Sequence, residues 1–150
     1  MTYNIKMQLP DGWTSEQDQY EEVENAVITH LECHLPDKTG KADEAMIDVY
    51  VGDMPSDTTA EDEAYANYVD IIGFDDDDTD DEAPISSWKF NNRTAYGFSG
   101  ECENGSLMLL MCIEVMKGAL LICSVVTQSD EELARWSKYL EMNLRITKAQ

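Results

Sequence analysis

Two histidines occur in the 150 residues, and both fall in one short run, His30-Leu31-Glu32-Cys33-His34. Imidazole and carboxylate together offer the nitrogen and oxygen donors that zinc or iron accept. Zinc-protease motifs put glutamate directly beside one of two histidines that share a helical face. Here Glu32 sits midway, about 200° round a helix from His30, so on a helix it points away. A strand changes the geometry, because His30, Glu32 and His34 then all project to one face. They form either a two-histidine, one-carboxylate ligand set or a solvent-facing row opposite a Leu31, Cys33 and Leu35 core face. The second is favoured, since the sequence displays no outer groups to orient the ligands.

Other chemistry has less to work with. Cys33 precedes His34, but neighbours on a strand face opposite ways, and no G-x-S-x-G occurs. An EF-hand loop needs glycine at its sixth position and glutamate at its twelfth. The run Asp75-Asp76-Asp77-Asp78-Thr79-Asp80-Asp81-Glu82 offers no such glycine, and it reads as a mobile, solvated loop over 75–84. No catalytic residue and no cofactor is expected.

Charge is the strongest compositional signal. Thirty-one acids against ten bases give −21. No Lys or Arg lies between Lys41 and Lys89, whereas 16 of the acids fall in residues 42–88. Repulsion from phosphates makes DNA, RNA and anionic membranes poor partners. A basic protein surface or a cation suits the region, although net charge also serves solubility. The acids expected to meet a partner are Glu61, Asp62, Asp75, Asp76, Asp77, Asp78, Asp80 and Asp81.

The elements that must carry these groups follow from length and periodicity. A chain of this size suits one domain, 1–150, and 43% hydrophobic residues supply a core. The longest apolar stretch, Leu107 to Ile113, is too short to cross a membrane. Met1 to Lys6 lacks a signal-peptide layout, which makes a cytoplasmic setting the default. Cys33, Cys102, Cys112 and Cys123 show no C-x-x-C and read as reduced, largely buried thiols.

Tyr3, Ile5, Met7 and Leu9 alternate as in a half-buried strand, ended by Pro10-Asp11-Gly12. Residues 14–35 admit a helix from Thr14 or a strand over about 25–35. Val27-Ile28-Thr29 tips the balance to the strand. Another strand spans 45–52. A helix over about 59–72 follows, with a capping box at Thr58-Thr59-Ala60-Glu61 and Gly73 as its end.

From Ile85 onward Asn91-Asn92, Asn104-Gly105 and Lys117-Gly118 punctuate four apolar segments, predicting strands at 85–90, 93–103, 106–116 and 119–127. Counting from Lys117-Gly118 puts Cys112 opposite Cys123. It also sets Glu114 across from Leu121 and Ala95, where near a hairpin end it reaches water. Leu107–Ile113 and Ala119–Val126 hardly alternate, so both faces of these strands require cover. Met108, Met111 and Met116 suit core filling or an adaptable binding face. Ser129-Asp130-Glu131-Glu132 caps a closing helix with a Leu133, Trp136, Leu140 and Leu144 stripe. The expected fold is α+β and three-layered, an antiparallel meander with helices on both faces.

This order of elements resembles the PsbP-like fold family, which includes the Ran-binding Mog protein and bacterial secretion chaperones. The likeness rests on Leu9-Pro10-Asp11-Gly12-Trp13 and on Ile47 to Val51 followed by Met54-Pro55 and a Thr-capped helix. It rests also on Lys89 to Phe98 and on the hairpin and closing helix ending Asn143-Leu144-Arg145-Ile146. The resemblance implies a non-catalytic binding or assembly factor, such as a chaperone, adaptor or immunity-type inhibitor. The alternative from the residues themselves is a metal-binding domain or metal-dependent enzyme using His30, Glu32 and His34.

Overall fold

Val27, Ile28 and Thr29 hold their segment extended, because branched side chains pack better on a pleated surface than on a helix. The computed structural model describes residues 2–23, 26–40, 43–71, 85–102 and 104–149. Along it run β1 (Tyr3–Lys6), β2 (Thr14–Val23), β3 (Ala26–Pro36), β4 (Asp43–Asp53) and α1 (Ala60–Ile71). Then come β5 (Ser86–Phe90), β6 (Arg93–Glu101), β7 (Leu107–Met116), β8 (Ala119–Thr127), α2 (Asp130–Asn143) and β9 (Arg145–Lys148). The fold is mixed α+β and mostly sheet. The loop expected at 75–84 lies outside the described residues.

Seven strands form one antiparallel sheet in the order β2-β3-β4-β8-β7-β6-β5, while β1 and β9 pair as a separate ribbon. Two meanders, β2-β3-β4 and β5-β6-β7-β8, therefore meet side by side at β4 and β8. Asn91 and Asn92 turn β5 into β6 with φ of 48° and 68°, which asparagine tolerates better than most residues.

Three expectations need correction. Residues 14–23 form a strand, not the helix that was one option for them. Glu16, Asp18 and Tyr20 face one side and Ser15, Gln17 and Gln19 the other, so this edge strand has no apolar face to announce it. Its charges suit an edge, where they discourage pairing with another chain.

The hairpin registers also shift by one. A bulge between Glu114 and Met116 sets Cys112 opposite Ile122 and Cys123 opposite Met111. An extra residue on one strand moves every later pair to the other face. The two thiols thus point to opposite faces, and all four cysteines are free. Glu114 faces Leu120, and Ala95 faces Ile113. The preceding hairpin closes between Cys102 and Ser106, whose backbone bond is 2.7 Å, not tightly about Asn104-Gly105.

The capping box of α1 is displaced as well. Asp62 N–H donates to Thr59 Oγ1 at 3.1 Å, and Thr59 N–H donates to Asp62 Oδ2 at 3.2 Å, in place of the Thr58–Glu61 pair. At α2, Ser129 Oγ accepts from Glu132 N–H at 3.2 Å as expected. Glu132 itself turns to Trp136 Nε1–H, 3.0 Å away.

Period-two side chains divide the core. On one side Ile47, Val49, Met111, Ile113, Leu121, Cys123 and Val125 pack against Leu133, Trp136, Leu140 and Leu144. Trp13 meets Trp136 edge-on at 4.8 Å. The β1–β9 ribbon adds Tyr3 and Ile5 to this side, docked where buried Thr29 donates to the Tyr3 carbonyl at 3.1 Å. On the opposite side a smaller cluster joins Phe98, Leu110, Cys112 and Leu120 to Ala60 and Ala64 of α1. Tyr68 stands edge-on to Phe98 at 5.2 Å. α1 packs on β6 and β7. Among the described residues no helix lies over β2, β3 and β4 on that side.

Candidate functional site

The helix-free area is where the chemistry-bearing residues collect. Pairing registers place side chains in rows across β2, β3 and β4. One row is Glu16–Glu32–Asp48 and the next is Asp18–His30–Tyr50. Beyond them, Thr14, His34 and Met46 line up on one side, with Tyr20 and Ile28 on the other. Three carboxylates thus stand side by side on adjacent strands, an arrangement that is unfavourable unless positive charge lies close.

The two imidazoles lie beside that row. His30 Nε2 is 2.9 Å from Asp48 Oδ1, and its Nδ1 is 3.4 Å from Asp18 Oδ1. Its ring stacks on Tyr50 at 4.1 Å with planes 2° apart. His34 bridges Asp43 Oδ2, 2.8 Å from Nδ1, and Glu32 Oε1, 2.6 Å from Nε2. The bond to Asp43, aided by Glu32, raises the His34 pKa above its usual 6.5 despite the opposing effect of burial. Burial, then the Asp48 charge, raises the Tyr50 phenol.

The expected triad is redrawn in part. His30, Glu32 and His34 do share a face of β3, as a strand requires. The donor atoms that converge, however, belong to His30, Glu32 and Asp48, all half-buried and within 4.8 Å of one another. His34 holds Glu32 instead of completing the set. Asp48 was not singled out from sequence, because the β3–β4 register is a tertiary fact. Glu16 and Asp18 carried a usable signal: with Tyr20 they repeat every two residues.

Nucleophilic chemistry gains nothing here. Cys33 lies on the other face, fully buried, its thiol pushed up to about 12 by burial and by the nearby charges of Asp48 and Glu32. Burial pushes Cys112 up to about 12 and raises Cys123 as well. Such thiols are inert at neutral pH.

Of the acids expected to meet a partner, Glu61 and Asp62 lie exposed in the first turn of α1, where Asp62 serves the cap. Asp75, Asp76, Asp77, Asp78, Asp80 and Asp81 lie outside the described residues. Among the described elements, β2, β4 and α1 carry four acids each and β3 one, with no Lys or Arg, whereas α2 balances its four acids with Arg135 and Lys138.

Between the charged rows and α1 runs a groove of about 450 Å³. Met108, Leu110, Ile122 and Ser124 form its floor, Asn67 and Ile71 one wall, and Tyr20, Ile28 and Tyr50 the other. Ser124 is the cross-strand neighbour of Asp48, so the apolar floor begins where the carboxylate row ends.

No protein-family model matches the chain, and no curated protein and no solved structure shows significant similarity to it.

Proposed function

We propose that the chain is a non-catalytic protein-binding domain, a chaperone, adaptor or immunity-type inhibitor, that presents an acidic surface to a basic protein partner. One observation carries this. β2, β3, β4 and α1 bear acids without a single Lys or Arg, and three of those acids stand abreast as Glu16, Glu32 and Asp48. Arginine or lysine from a partner would relieve their repulsion and gain charge-assisted hydrogen bonds. The three-layer, PsbP-like arrangement belongs to the same proposal. It is supported by α1 and α2 packing on clusters of opposite side-chain parity and by the Asn91-Asn92 hairpin. A cytoplasmic setting fits the four free thiols, and no helix among the described residues is long and apolar enough to cross a membrane.

The test is a pull-down from the native organism across about 50 to 500 mM salt, repeated with Glu16→Gln and Asp18→Asn. Capture should fall with salt and with each neutralised acid. Capture indifferent to both would sink the proposal.

A second reading, a metal-binding domain or metal-dependent enzyme, is favoured by the convergence of His30, Glu32 and Asp48. Asp18 on the outer nitrogen of His30, and His34 on Glu32, would orient the ligands. Elemental analysis after purification without chelator tests it, with His30→Ala as the control. Absence of stoichiometric zinc or iron would rule it out.

A further inference from the structure

Among the described residues, the α1 side of the sheet has room beside α1 for one more helix. α1 packs on β6 and β7, leaving β8, β4, β3 and β2. Three inter-strand spacings separate β8 from β2, about 14 Å, and a helix with its side chains is about 10–12 Å across. The floor of this strip, Ile122 and Met108, is only partly buried. Its walls hold two of the large apolar side chains most exposed among the described residues, Tyr20 at 41% and Ile71 at 50%. Carboxylates border it on the strand side, where the Glu16, Glu32 and Asp48 row meets the apolar floor at Ser124.

We infer that this groove is the docking site for a basic amphipathic helix of the partner protein. The helix would lie next to α1, its apolar stripe on Ile122 and between Tyr20 and Ile71, with Lys or Arg on the flank that faces Glu16, Glu32 and Asp48. Charge complementarity selects the occupant. A wholly apolar segment would leave the carboxylate rows unmatched, and an acidic one would be repelled. Helix-in-groove recognition uses apolar anchors at i, i+3, i+4 and i+7, which set the flanking cations beside the stripe. The inference rests on the basic-partner reading and adds the shape of the ligand and its seat.

The probe is a fluorescein-labelled synthetic peptide with leucines at that spacing and lysines or arginines beside the apolar stripe. A second peptide of identical composition is shuffled so that no apolar stripe forms. Anisotropy with the full chain should show the amphipathic peptide binding about tenfold more tightly than the shuffled one. Tyr20→Ser and Ile71→Ser, each about half exposed, should each lose about five- to tenfold while circular dichroism shows the protein still folded. Equal binding of both peptides, untouched by these variants, would overturn the groove and leave the acidic surface standing. Binding of neither peptide would overturn both. A homodimer in sedimentation, dissociated by Tyr20→Ser, would give the groove to a second copy and equally overturn the inference.

Discussion

Gly97 on β6 is the position where one methyl group tests the architecture most severely. A Cβ built there would lie 1.9 Å from the Leu110 carbonyl oxygen and 2.9 Å from both the Leu110 carbonyl carbon and Met111 Cα. Every one of these is backbone on the adjacent strand, so no side chain can rotate away. Gly97→Ala must push β6 and β7 apart at the Gly97–Met111 pair or twist the ladder there. Overpacking of a dense core costs about 1–3 kcal/mol, and a clash with backbone belongs at the upper end. Loss of unfolded-chain entropy returns only about 0.4–1 kcal/mol. The net is a destabilisation of about 2–2.5 kcal/mol, a large share of the roughly 5–15 kcal/mol typical of a domain. At about 2–4 °C per kcal/mol the melting temperature should drop by about 5–10 °C. Urea titration, with the slope checked for constancy, measures it directly. Gly105→Ala is the control: its Cβ meets open space, and the cost comes only from a φ of +88°, about 1–2 kcal/mol. If Gly97→Ala proves milder than Gly105→Ala, the close approach of β6 to β7 is wrong, and with it the Gly97–Met111 pairing.

Ser129→Ala should cost about 1 kcal/mol by leaving the Glu132 N–H without its side-chain acceptor, read as a drop in the urea midpoint at constant slope. Because the folded-state pKa of His34 is raised, the protonated ring stabilises the fold. That contribution is fully present below the unfolded value of 6.5 and is lost as pH rises through the folded value. In metal-free protein, wild type should therefore gain on His34→Gln as pH falls through this window, and parallel stability curves would contradict the assignment. Cys33, Cys112 and Cys123, all buried, should resist a thiol reagent until the protein unfolds, whereas half-exposed Cys102 reacts in the native state. A burst of more than one thiol would disprove this.

Local signals carried the second meander. Asn91-Asn92 and Lys117-Gly118 announce turns because few residues adopt positive φ, and the apolar stripe of α2 needs no partner to be read. What failed depended on distant parts of the chain. β2 is polar on both faces, and β9 is four residues long and recognisable only once β1 is beside it. The one-residue shift at Glu114 arises from a bulge that nothing in Glu114-Val115-Met116 spells out. The site was half legible. Period two aligned His30 with Glu32, but Asp48 joined them through β3–β4 pairing, and the groove needs α1 and β2 at once.

The junction of β4 with β8 bears on the birth of the protein. About 65 residues separate the end of β4 from the start of β8, so at roughly 5–20 residues per second a ribosome leaves β4 waiting for seconds. Over that interval its edge, with Ile47, Val49 and Val51 in register to pair, is open to any other nascent chain. The same strand carries Asp43, Glu44, Asp48 and Asp53. Two copies brought edge to edge would bring these charges together, and the repulsion keeps the edge single until its own β8 arrives.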